Sequence, residues 1–472
     1  MTDEYDLIVL GGGPVGENVA DRAVQGGLTA VIVESELVGG ECSYWACIPS
    51  KALLRSPQAL RAAQHVGGAA EAMTGSLDVA ATLARRDGFT HHWTDDGQVR
   101  WLASAHIELV RGHGRLSGER RVTVTTPDGS ERVLTARHAV AVSTGSDAAV
   151  PPIPGLREAD PWTSRDATSA EEIPASLVVI GGGVVAVEMA TAYASLGAVV
   201  TVLARSGLLG TVEPFAGELV ADGLRELGVD VRTGVATLSV ARDAEGVTVR
   251  TDGGEVRAAE VLVATGRTPR SGDIGLETVG LEPGRSIAVD ETLRVPGSDW
   301  LYAVGDVNGR VLLTHQGKYQ ARAAGDVIAA RARGEEVDDA AWGRHAATAD
   351  HAAVPQVVFS APEVAAVGLT EAAAQRAGHR VRAVDVEFSS VSGASLHADG
   401  YRGRARMVVD EDRQVLLGVT LAGPDVAELI HAGAIAVAGE VPLTRLWHAV
   451  PSYPTMSEVW LRLLEAYGRR SA

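Results

Sequence analysis

The chain has 472 residues, of which 46% are hydrophobic and 22% charged, and its formal net charge at pH 7 is −18. This composition excludes a disordered chain, the length suggests about three domains, and no apolar run approaches the roughly 18 residues that span a membrane. The acidic balance argues against nucleic acid and anionic membranes as partners. Asp3, Glu4 and Asp6 open the chain without a basic, apolar leader, so we expect a cytoplasmic protein.

The first predicted unit binds a dinucleotide. A buried parallel strand at 6–10, a glycine-rich turn, a helix and a second strand that ends in Glu34 follow one another. Gly11, Gly13 and Gly16 permit a tight turn, close approach of a pyrophosphate and close helix–strand packing, and the acid can bind a ribose hydroxyl. A purely structural glycine turn is the alternative, and the full strand–glycine–helix–strand–acid order disfavours it.

The only two cysteines, Cys42 and Cys47, are five residues apart. Such a pair indicates redox chemistry or part of a metal site, with two inert buried thiols as the alternative. In a continuous helix their Cα atoms would be roughly 8.6 Å apart, whereas a disulfide needs less than about 7 Å. If they bond, the segment between them is therefore not plain helix. Pro49 suits the first turn of a helix, which puts Cys47 near its N-terminus, where the dipole stabilises a thiolate.

The next stretch is less distinctive. Residues 57–86 are Ala-rich with few breakers and predict a helix. His91 and His92 are adjacent and face different directions, so a surface segment is a better interpretation than a metal site. A strand at 139–142 runs into a glycine loop, and the proline-rich stretch at 151–155 predicts a stiff connection at a domain boundary.

A second dinucleotide unit begins with a strand at 177–180. Its turn residues are Gly181, Gly183 and Ala186. Gly181 follows Gly11 by 170 residues. With the same offset, the position of Glu34 in the first unit corresponds to Ala204 in the second, and Arg205 is next to it. A carboxylate there would repel a 2′-phosphate and an arginine would bind one. The first unit therefore predicts a dinucleotide with a free ribose, such as FAD, and the second predicts NADPH; a solvated surface Arg205 is the alternative.

Further on, a strand from Trp300 delivers Asp306 to its end, which places a carboxylate against a ribose or polyol. A helix at about 315–331 follows. From Val354 onward the pattern predicts an α+β domain. Its predicted strands are 357–360, 381–388, 404–409 and 415–421, and its predicted helices are 424–438 and 455–467.

These motifs together resemble the FAD-dependent pyridine nucleotide-disulfide oxidoreductases, class I, the group of lipoamide dehydrogenase, glutathione reductase and mercuric reductase. The resemblance runs from about residue 5 to 466. Its markers are the glycine turns at 11–16 and 181–188, Cys42 to Lys51, Ala264 to Pro269, Ala303 to Asp306, Pro355 to Phe359, Pro362-Glu363, Val367 to Glu371 and Tyr453 to Glu458.

The resemblance implies an α/β fold with two Rossmann-like dinucleotide-binding domains, for FAD and NADPH, and a C-terminal α+β dimerisation domain. The implied parts are 1–155 and 273–348 for the FAD-binding domain, 156–272 for the NAD(P)-binding domain and 349–472 for dimerisation. It also implies a homodimer in which the partner completes each active site.

The resemblance assigns roles to residues as well. Cys47 would be the thiolate beside the flavin, Cys42 the thiol that attacks substrate, and Lys51, paired with Glu188, would lie near the flavin ring. Asp306 would hold the ribityl chain. The other implied cofactor-binding residues are Gly114, Thr144, Gly145, Thr314 and Gly266.

This chain departs from the family pattern at the position of the active-site histidine of disulfide reductases. Tyr453 stands there, His448 is five residues earlier, and Glu458, which in the family steadies the histidine, follows. A histidine, with an ordinary pKa near 6.5, can move protons at neutral pH, whereas a tyrosine, near 10, is a poor base. We therefore expect slow dithiol–disulfide exchange and better turnover of quinones, unless His448 or a partner-chain residue replaces the base. Tyr44 and Trp45, between the cysteines, suggest a reshaped substrate entrance.

The sequence thus predicts an NADPH-dependent FAD enzyme that passes electrons through a Cys42–Cys47 disulfide to a small disulfide or a quinone-like acceptor. A mercuric or other metal-ion reductase is an alternative, weakened because no further cysteine pair is present. A second alternative is a redox-silent dimer that binds FAD and NADP, and the presence of both cysteines and Lys51 argues against it.

Overall fold

The computed structural model describes residues 3–469. The strands of this part are β1 (Glu4–Leu10), β2 (Ala30–Glu34), β3 (Ile107–Arg111), β4 (His113–Leu116), β5 (Arg121–Thr125), β6 (Glu131–Val142), β7 (Ser146–Ala148), β8 (Ser176–Ile180), β9 (Val199–Ala204), β10 (Asp230–Thr233), β11 (Thr237–Asp243), β12 (Gly246–Thr251), β13 (Gly254–Ala258), β14 (Glu260–Val263), β15 (Arg267–Pro269), β16 (Leu301–Ala303), β17 (Pro355–Val358), β18 (Glu363–Gly368), β19 (Val381–Glu387), β20 (Arg404–Asp410) and β21 (Val415–Gly423).

The α-helices of the same part are α1 (Pro14–Gln25), α2 (Gly40–Tyr44), α3 (Cys47–Gln64), α4 (Val79–Phe89), α5 (Asp96–Ser104), α6 (Ser164–Ser169), α7 (Val184–Ser195), α8 (Pro214–Glu226), α9 (Thr314–Ala332), α10 (Ala349–Ala352), α11 (Glu371–Arg376), α12 (Ser392–His397), α13 (Ile430–Ala438), α14 (Leu443–Leu446) and α15 (Glu458–Tyr467). Every helix within residues 3–469 is too short or too polar to cross a bilayer.

The chain divides into two compact units, each built from three segments. The first unit contains Met1–Pro49, Asp87–Ala148 and Arg267–Asp350. Its sheet has the order β3-β2-β1-β6-β5-β4, with β16 beside β6, and β1 runs parallel to β2 and β6. Ile8 packs on one face of this sheet and Leu7 on the other. The apolar run of β1 is continuous because both faces of the parallel sheet are covered.

Helices α1 and α9 pack closely in this first unit. A Cβ on Gly317 of α9 would lie 2.6 Å from a methyl carbon of Val15 on α1. Farther along, Arg22 of α1 forms a bidentate pair with Asp326 of α9 at 2.6 Å. The helix axes can approach because α9 carries glycine at the crossing.

The second unit contains Ser50–Arg86, Ala149–Gly266 and His351–Ala472. It holds a parallel sheet ordered β10-β9-β8-β14, an antiparallel sheet β11-β12-β13 and an antiparallel sheet β17-β18-β21-β20-β19. Leu53 and Leu54 of α3 join the buried core around α7 and β8.

The predicted fold class is confirmed, and so are the strand ending in Glu34 and the helix near 315–331. The single helix predicted for 57–86 is wrong, because α3 ends at Gln64 and α4 begins at Val79. Gly67, Gly68 and Gly75 stand in the gap, and each costs a helix roughly 1 kcal/mol relative to alanine. Strand β18 was not anticipated. The four-part domain division from sequence stays a prediction.

Candidate active site

The two cysteines lie on either side of a helix break. Helix α2 ends at Tyr44, Trp45 has a φ of −136°, and α3 begins at Cys47. The segment is therefore not continuous helix, which is the condition that a disulfide between the two cysteines would require, and Cys47 lies at a helix N-terminus, as predicted. Both cysteines are reduced and their thiols are in contact: Cys42 hydrogen-bonds to Cys47, and the Oγ1 atom of Thr314 lies 3.3 Å from the Cys47 Sγ atom.

The contact between the thiols makes them unequal acids. The hydrogen bond to Cys47 and burial raise the pKa of Cys42 well above the ordinary thiol value, while Thr314 and Lys318 oppose that shift. Two thiols in contact resist a second ionisation. The N-terminus of α3 favours a negative charge on Cys47 rather than on Cys42.

Lys51 follows Cys47 by one turn of α3 and is held by Glu188 of α7. The Lys51 Nζ atom lies 2.7 Å from the Glu188 Oε2 atom, and the backbone N–H of Phe359 donates to the Oε1 atom at 3.0 Å. Glu188 is only 3% exposed. The structure thus brings together the lysine and glutamate that the resemblance paired.

The glycine turn after β1 fits a dinucleotide such as FAD. A Cβ on Gly11 would lie 2.5 Å from the carbonyl oxygen of Ser143, and one on Gly16 would lie 2.0 Å from that of Gly11. Only glycine is accommodated at these two positions. The N–H of Gly12 donates to the Glu34 carboxylate at 2.6 Å, which fixes the acid beside the turn. Gly13 precedes α1 as its N-cap residue.

Asp306 follows β16 at the same edge of the sheet. The Ser146 hydroxyl donates to the Asp306 carboxylate at 2.6 Å, and the Arg267 Nε atom donates to the Ser146 Oγ atom at 2.6 Å. Burial raises the pKa of Asp306, while Ser146 and Arg267 oppose the shift. Sequence reasoning did not single out Ser146 or Arg267, because their proximity to Asp306 arises only from the fold.

The remaining residues implied to border FAD have separate surroundings. The Thr144 hydroxyl donates to the carbonyl of Arg270, and Gly145 has a φ of +76°. A Cβ on Gly114 would lie 2.8 Å from a methyl carbon of Leu10 and would also crowd Val33. The small size of Gly114 is thus needed for packing inside the unit.

The second glycine turn has the same construction in the other unit. Gly181 has a φ of +137°, and a Cβ there would lie 2.1 Å from the carbonyl oxygen of Ala264. Gly183 is the N-cap residue of α7, Ala186 is fully buried, and Gly266 has a φ of +135°. At the end of β9, Ala204 is buried and Arg205 is exposed. Across residues 3–469, Arg205 has no ion-pair partner.

The residues at the expected place of the family histidine lie in the last part of the chain. Tyr453 is 74% exposed, and His448 is exposed as well. Glu458 is buried and pairs with Arg462 on α15, whereas its Oε2 atom has no hydrogen-bond partner within residues 3–469.

From sequence we expected Tyr44 and Trp45 to reshape the substrate entrance, and for Tyr44 this expectation is wrong. Its side chain is fully buried, and its hydroxyl donates to the Val38 carbonyl at 3.0 Å, so it belongs to the core. For Trp45 the expectation stays a prediction.

A cavity of about 360 Å³ lies in the first unit where α1, α5 and α9 meet. It is lined by Glu17, Asn18, Gly97, Gln98, Trp101 and Lys318. Sequence reasoning missed Glu17 and Lys318. For Glu17, the sequence did offer an indication of a functional residue, because this acid directly follows the last glycine of the first turn. In the described part of the chain, no three His, Cys, Asp or Glu residues are grouped as metal ligands.

Comparison with known proteins places the chain in a family. Residues 5–322 match the model of pyridine nucleotide-disulphide oxidoreductases, and residues 354–464 match the model of the dimerisation domain of those enzymes. The chain is 34% identical over 464 residues to mercuric reductase from Shigella flexneri, covering 96% of this chain and 79% of that protein. It is 33% identical over 476 residues to dihydrolipoyl dehydrogenase from Chlorobaculum tepidum, covering 97% and 96%.

Solved structures show the same fold. The Cu(II) complex of the HOCl-induced flavoprotein disulfide reductase RclA from Escherichia coli superimposes with a TM-score of 0.84 at 24% identity, covering 98% of this chain and 99% of that one. LpdA from Mycobacterium tuberculosis gives 0.80 at 25% identity, covering 97% and 98%. The chain therefore belongs to the class I, FAD-dependent pyridine nucleotide-disulfide oxidoreductase family and is an oxidoreductase of that type.

Proposed function

We propose that this enzyme passes two electrons from NADPH, by way of FAD, to the Cys42–Cys47 pair and from there to a small disulfide. The observation that carries the proposal is the contact between the two thiols at the start of α3, with Thr314 hydrogen-bonded beside them. A pair of thiols in contact can store two electrons when their disulfide is opened and release them when it closes.

FAD, when bound, would supply hydride chemistry: it accepts two electrons from a nicotinamide and delivers them to a disulfide. Gly11, Gly13 and Gly16 would admit its pyrophosphate, Glu34 would bind its ribose and Asp306 would hold its ribityl chain. Lys51 would place a positive charge near the flavin ring. The Glu188 carboxylate fixes the position of the Lys51 ammonium group, because Glu188 is buried and is also held by a backbone N–H.

The nicotinamide donor in this proposal is NADPH. The end of β9 carries a buried alanine, Ala204, where a ribose-binding acid would stand, and an exposed arginine, Arg205. A guanidinium binds a phosphate in a bidentate manner and does not favour a free ribose to the same extent.

The active form in this proposal is a homodimer in the cytoplasm. The match to the dimerisation domain supports the dimer. So does the exposure of large apolar side chains in that part of the chain, with Val450 at 83% and Tyr453 at 74%, because such side chains commonly mark an interface.

A quinone-like acceptor is a second candidate, and Tyr453 is the observation that favours it. Reduction of a quinone by the flavin does not require a base at the thiols. Reduction of mercuric ion, the reaction named for the Shigella flexneri relative, is less favoured because Cys42 and Cys47 are the only cysteines in the sequence.

The test is an anaerobic titration of the purified yellow holoenzyme with NADPH and, separately, with NADH. We expect NADPH to produce the long-wavelength absorbance of a thiolate beside oxidised flavin. Steady-state rates with glutathione disulfide, lipoamide, a naphthoquinone and Hg²⁺ then identify the acceptor. Bleaching of the flavin without that absorbance would contradict the route through the thiols, and no change with either nucleotide would indicate a redox-silent dimer.

A further inference from the structure

The reduced thiol pair requires a base before it can react. Cys42 holds its proton more tightly than an ordinary thiol because it is buried and hydrogen-bonded to Cys47. The thiolate, and not the thiol, attacks a disulfide. Tyr453 occupies the place of the family histidine and is a poor base. Some other group must therefore take the proton from Cys42.

Lys318 is placed to stabilise the charge that this loss creates. It lies on α9 one turn after Thr314, which hydrogen-bonds to the thiols. Helical side chains lean toward the N-terminus of their helix, so Lys318 covers the turn that carries Thr314. Its ammonium group lowers the pKa of Cys42, and it has no hydrogen-bond partner within residues 3–469.

Glu17 faces Lys318 across the cavity. It lies in the first turn of α1, and its backbone N–H donates to the carbonyl of Gly13 at 3.0 Å. The Cα atom of Gly13 would be 2.7 Å from a Cβ on Gly40 at the start of α2. The first turn of α1 therefore packs directly against the helix that carries Cys42. The Glu17 Oε1 atom is buried and has no hydrogen-bond partner within the described residues.

Charged groups on two neighbouring elements, α9 and β2, act on the Glu17 carboxyl. Burial raises its pKa to about 7, with Lys318 of α9 opposing the shift and Glu34 of β2 adding to it. On α2, the Tyr44 phenol is neutral, since burial, Asp95 and Glu17 raise its pKa to about 12. The cavity residues from α5, Gly97, Gln98 and Trp101, carry no charge. Near neutral pH, Glu17 therefore exists in both protonation states, as proton exchange requires.

We infer that Glu17 and Lys318 form the acid–base pair that serves Cys42 in place of the absent histidine, with Lys318 stabilising the thiolate and Glu17 exchanging the proton. This inference rests on the proposed role of Cys42 as the thiol that attacks the acceptor. It also makes the chain itself, without a partner residue, the source of the base.

Protons and electrons balance in the resulting exchange reaction. The Glu17 carboxylate takes the proton of Cys42, and the Cys42 thiolate attacks one sulfur of the acceptor disulfide, forming a mixed disulfide and breaking the acceptor S–S bond. The departing thiolate takes the proton back from Glu17. The Cys47 thiolate then attacks the Cys42 sulfur, which closes the Cys42–Cys47 disulfide. The second product leaves as a thiolate and takes the proton that Cys47 had released to solvent.

The first test measures the thiol without any acceptor. NADPH-reduced holoenzyme is alkylated with iodoacetamide between pH 6 and 9, and the modified Cys42 peptide is quantified by mass spectrometry. We expect Lys318→Met to slow alkylation of Cys42 at pH 7 on the order of tenfold, and Lys318→Arg to restore the rate because it keeps the charge. The flavin absorbance of each variant reports that it is folded.

The second test measures turnover of glutathione disulfide and lipoamide against pH. In the parent we expect the rate to rise through pH 7, as Glu17 becomes a carboxylate. In Glu17→Gln the rise should disappear and the rate should fall on the order of 10². Asp21→Asn is the matched control and should behave as the parent, because Asp21 lies one turn along α1 and, among residues 3–469, is hydrogen-bonded only to Gln25.

The results separate this inference from the proposed function. If parent and variants share the same pH profile of Cys42 alkylation, the inference is wrong, whatever the acceptor proves to be. If the alkylation profiles differ as expected but the parent reduces no disulfide, the role of Lys318 stands and the proposed acceptor is wrong.

Discussion

Glu363, at the start of β18, should make the stability of the dimerisation domain fall as the pH rises. It is 5% exposed and is held by the Gln58 amide at 2.6 Å and the Ala427 N–H at 3.2 Å. Burial raises its pKa from 4.5 to about 7. The folded state therefore binds more protons than the unfolded state between about pH 4.5 and pH 7, and the free energy of unfolding decreases through that window.

The magnitude follows from that shift. The difference between 7 and 4.5 is 2.5 units, and at 1.36 kcal/mol per unit it corresponds to about 3 kcal/mol. Glu363→Gln removes the charge and keeps one acceptor oxygen. Relative to the parent, the free energy of unfolding of this variant should therefore increase by about 3 kcal/mol between pH 4.5 and pH 8.

Urea unfolding of the holoenzyme, followed by tryptophan fluorescence at several pH values, measures this difference. Glu428→Gln is the control, because Glu428 is exposed on the same part of the chain and its replacement should give a difference that does not depend on pH. A constant difference between Glu363→Gln and the parent from pH 4.5 to pH 8 would refute the reasoning.

Three further predictions concern the reaction. Cys47→Ser should abolish the long-wavelength absorbance on reduction and Cys42→Ser should retain it, since Cys47 remains a thiolate; the opposite result in titrations would reverse their roles. Arg205→Ala should raise the KM for NADPH roughly ten- to a hundredfold, the equivalent of 1.5–3 kcal/mol for an arginine–phosphate contact, and spare that for NADH; equal efficiency of the two nucleotides in the parent would count against this. Tyr453→His should change turnover of glutathione disulfide by less than about threefold, because the base lies elsewhere; a tenfold gain would identify the histidine as the missing group.

The parts of the site that depend on local chemistry were predictable from sequence. The glycines of both turns, Glu34 at a strand end and Cys47 at a helix start each follow from the steric and electrostatic needs of one short segment. A break between α2 and α3 was expected on the condition that the two cysteines can form a disulfide, because a continuous helix would hold their Cα atoms too far apart. In each case the physical requirement and the residues that meet it lie within a few positions of each other.

The parts that depend on packing between distant segments were not predictable. Glu17 and Lys318 are 301 residues apart in sequence, 318 minus 17, and become neighbours only because Gly317 lets α9 approach α1. The gap between α3 and α4 was missed because composition averaged over 57–86 concealed three glycines. An alanine-rich segment predicts helix until the cost of its glycines is counted individually.

The pairing of α1 with α9 has a consequence for biosynthesis. Arg22 meets Asp326, a residue that is 304 positions later in the chain. At roughly 5–20 residues per second, about 15–60 s of translation separate the emergence of the two partners from the ribosome. During that time the apolar strand β1 and the inner face of α1 lack the helix that covers them. The nascent N-terminal segment therefore exposes apolar surface for most of synthesis, and the contact between α1 and α9 forms only late.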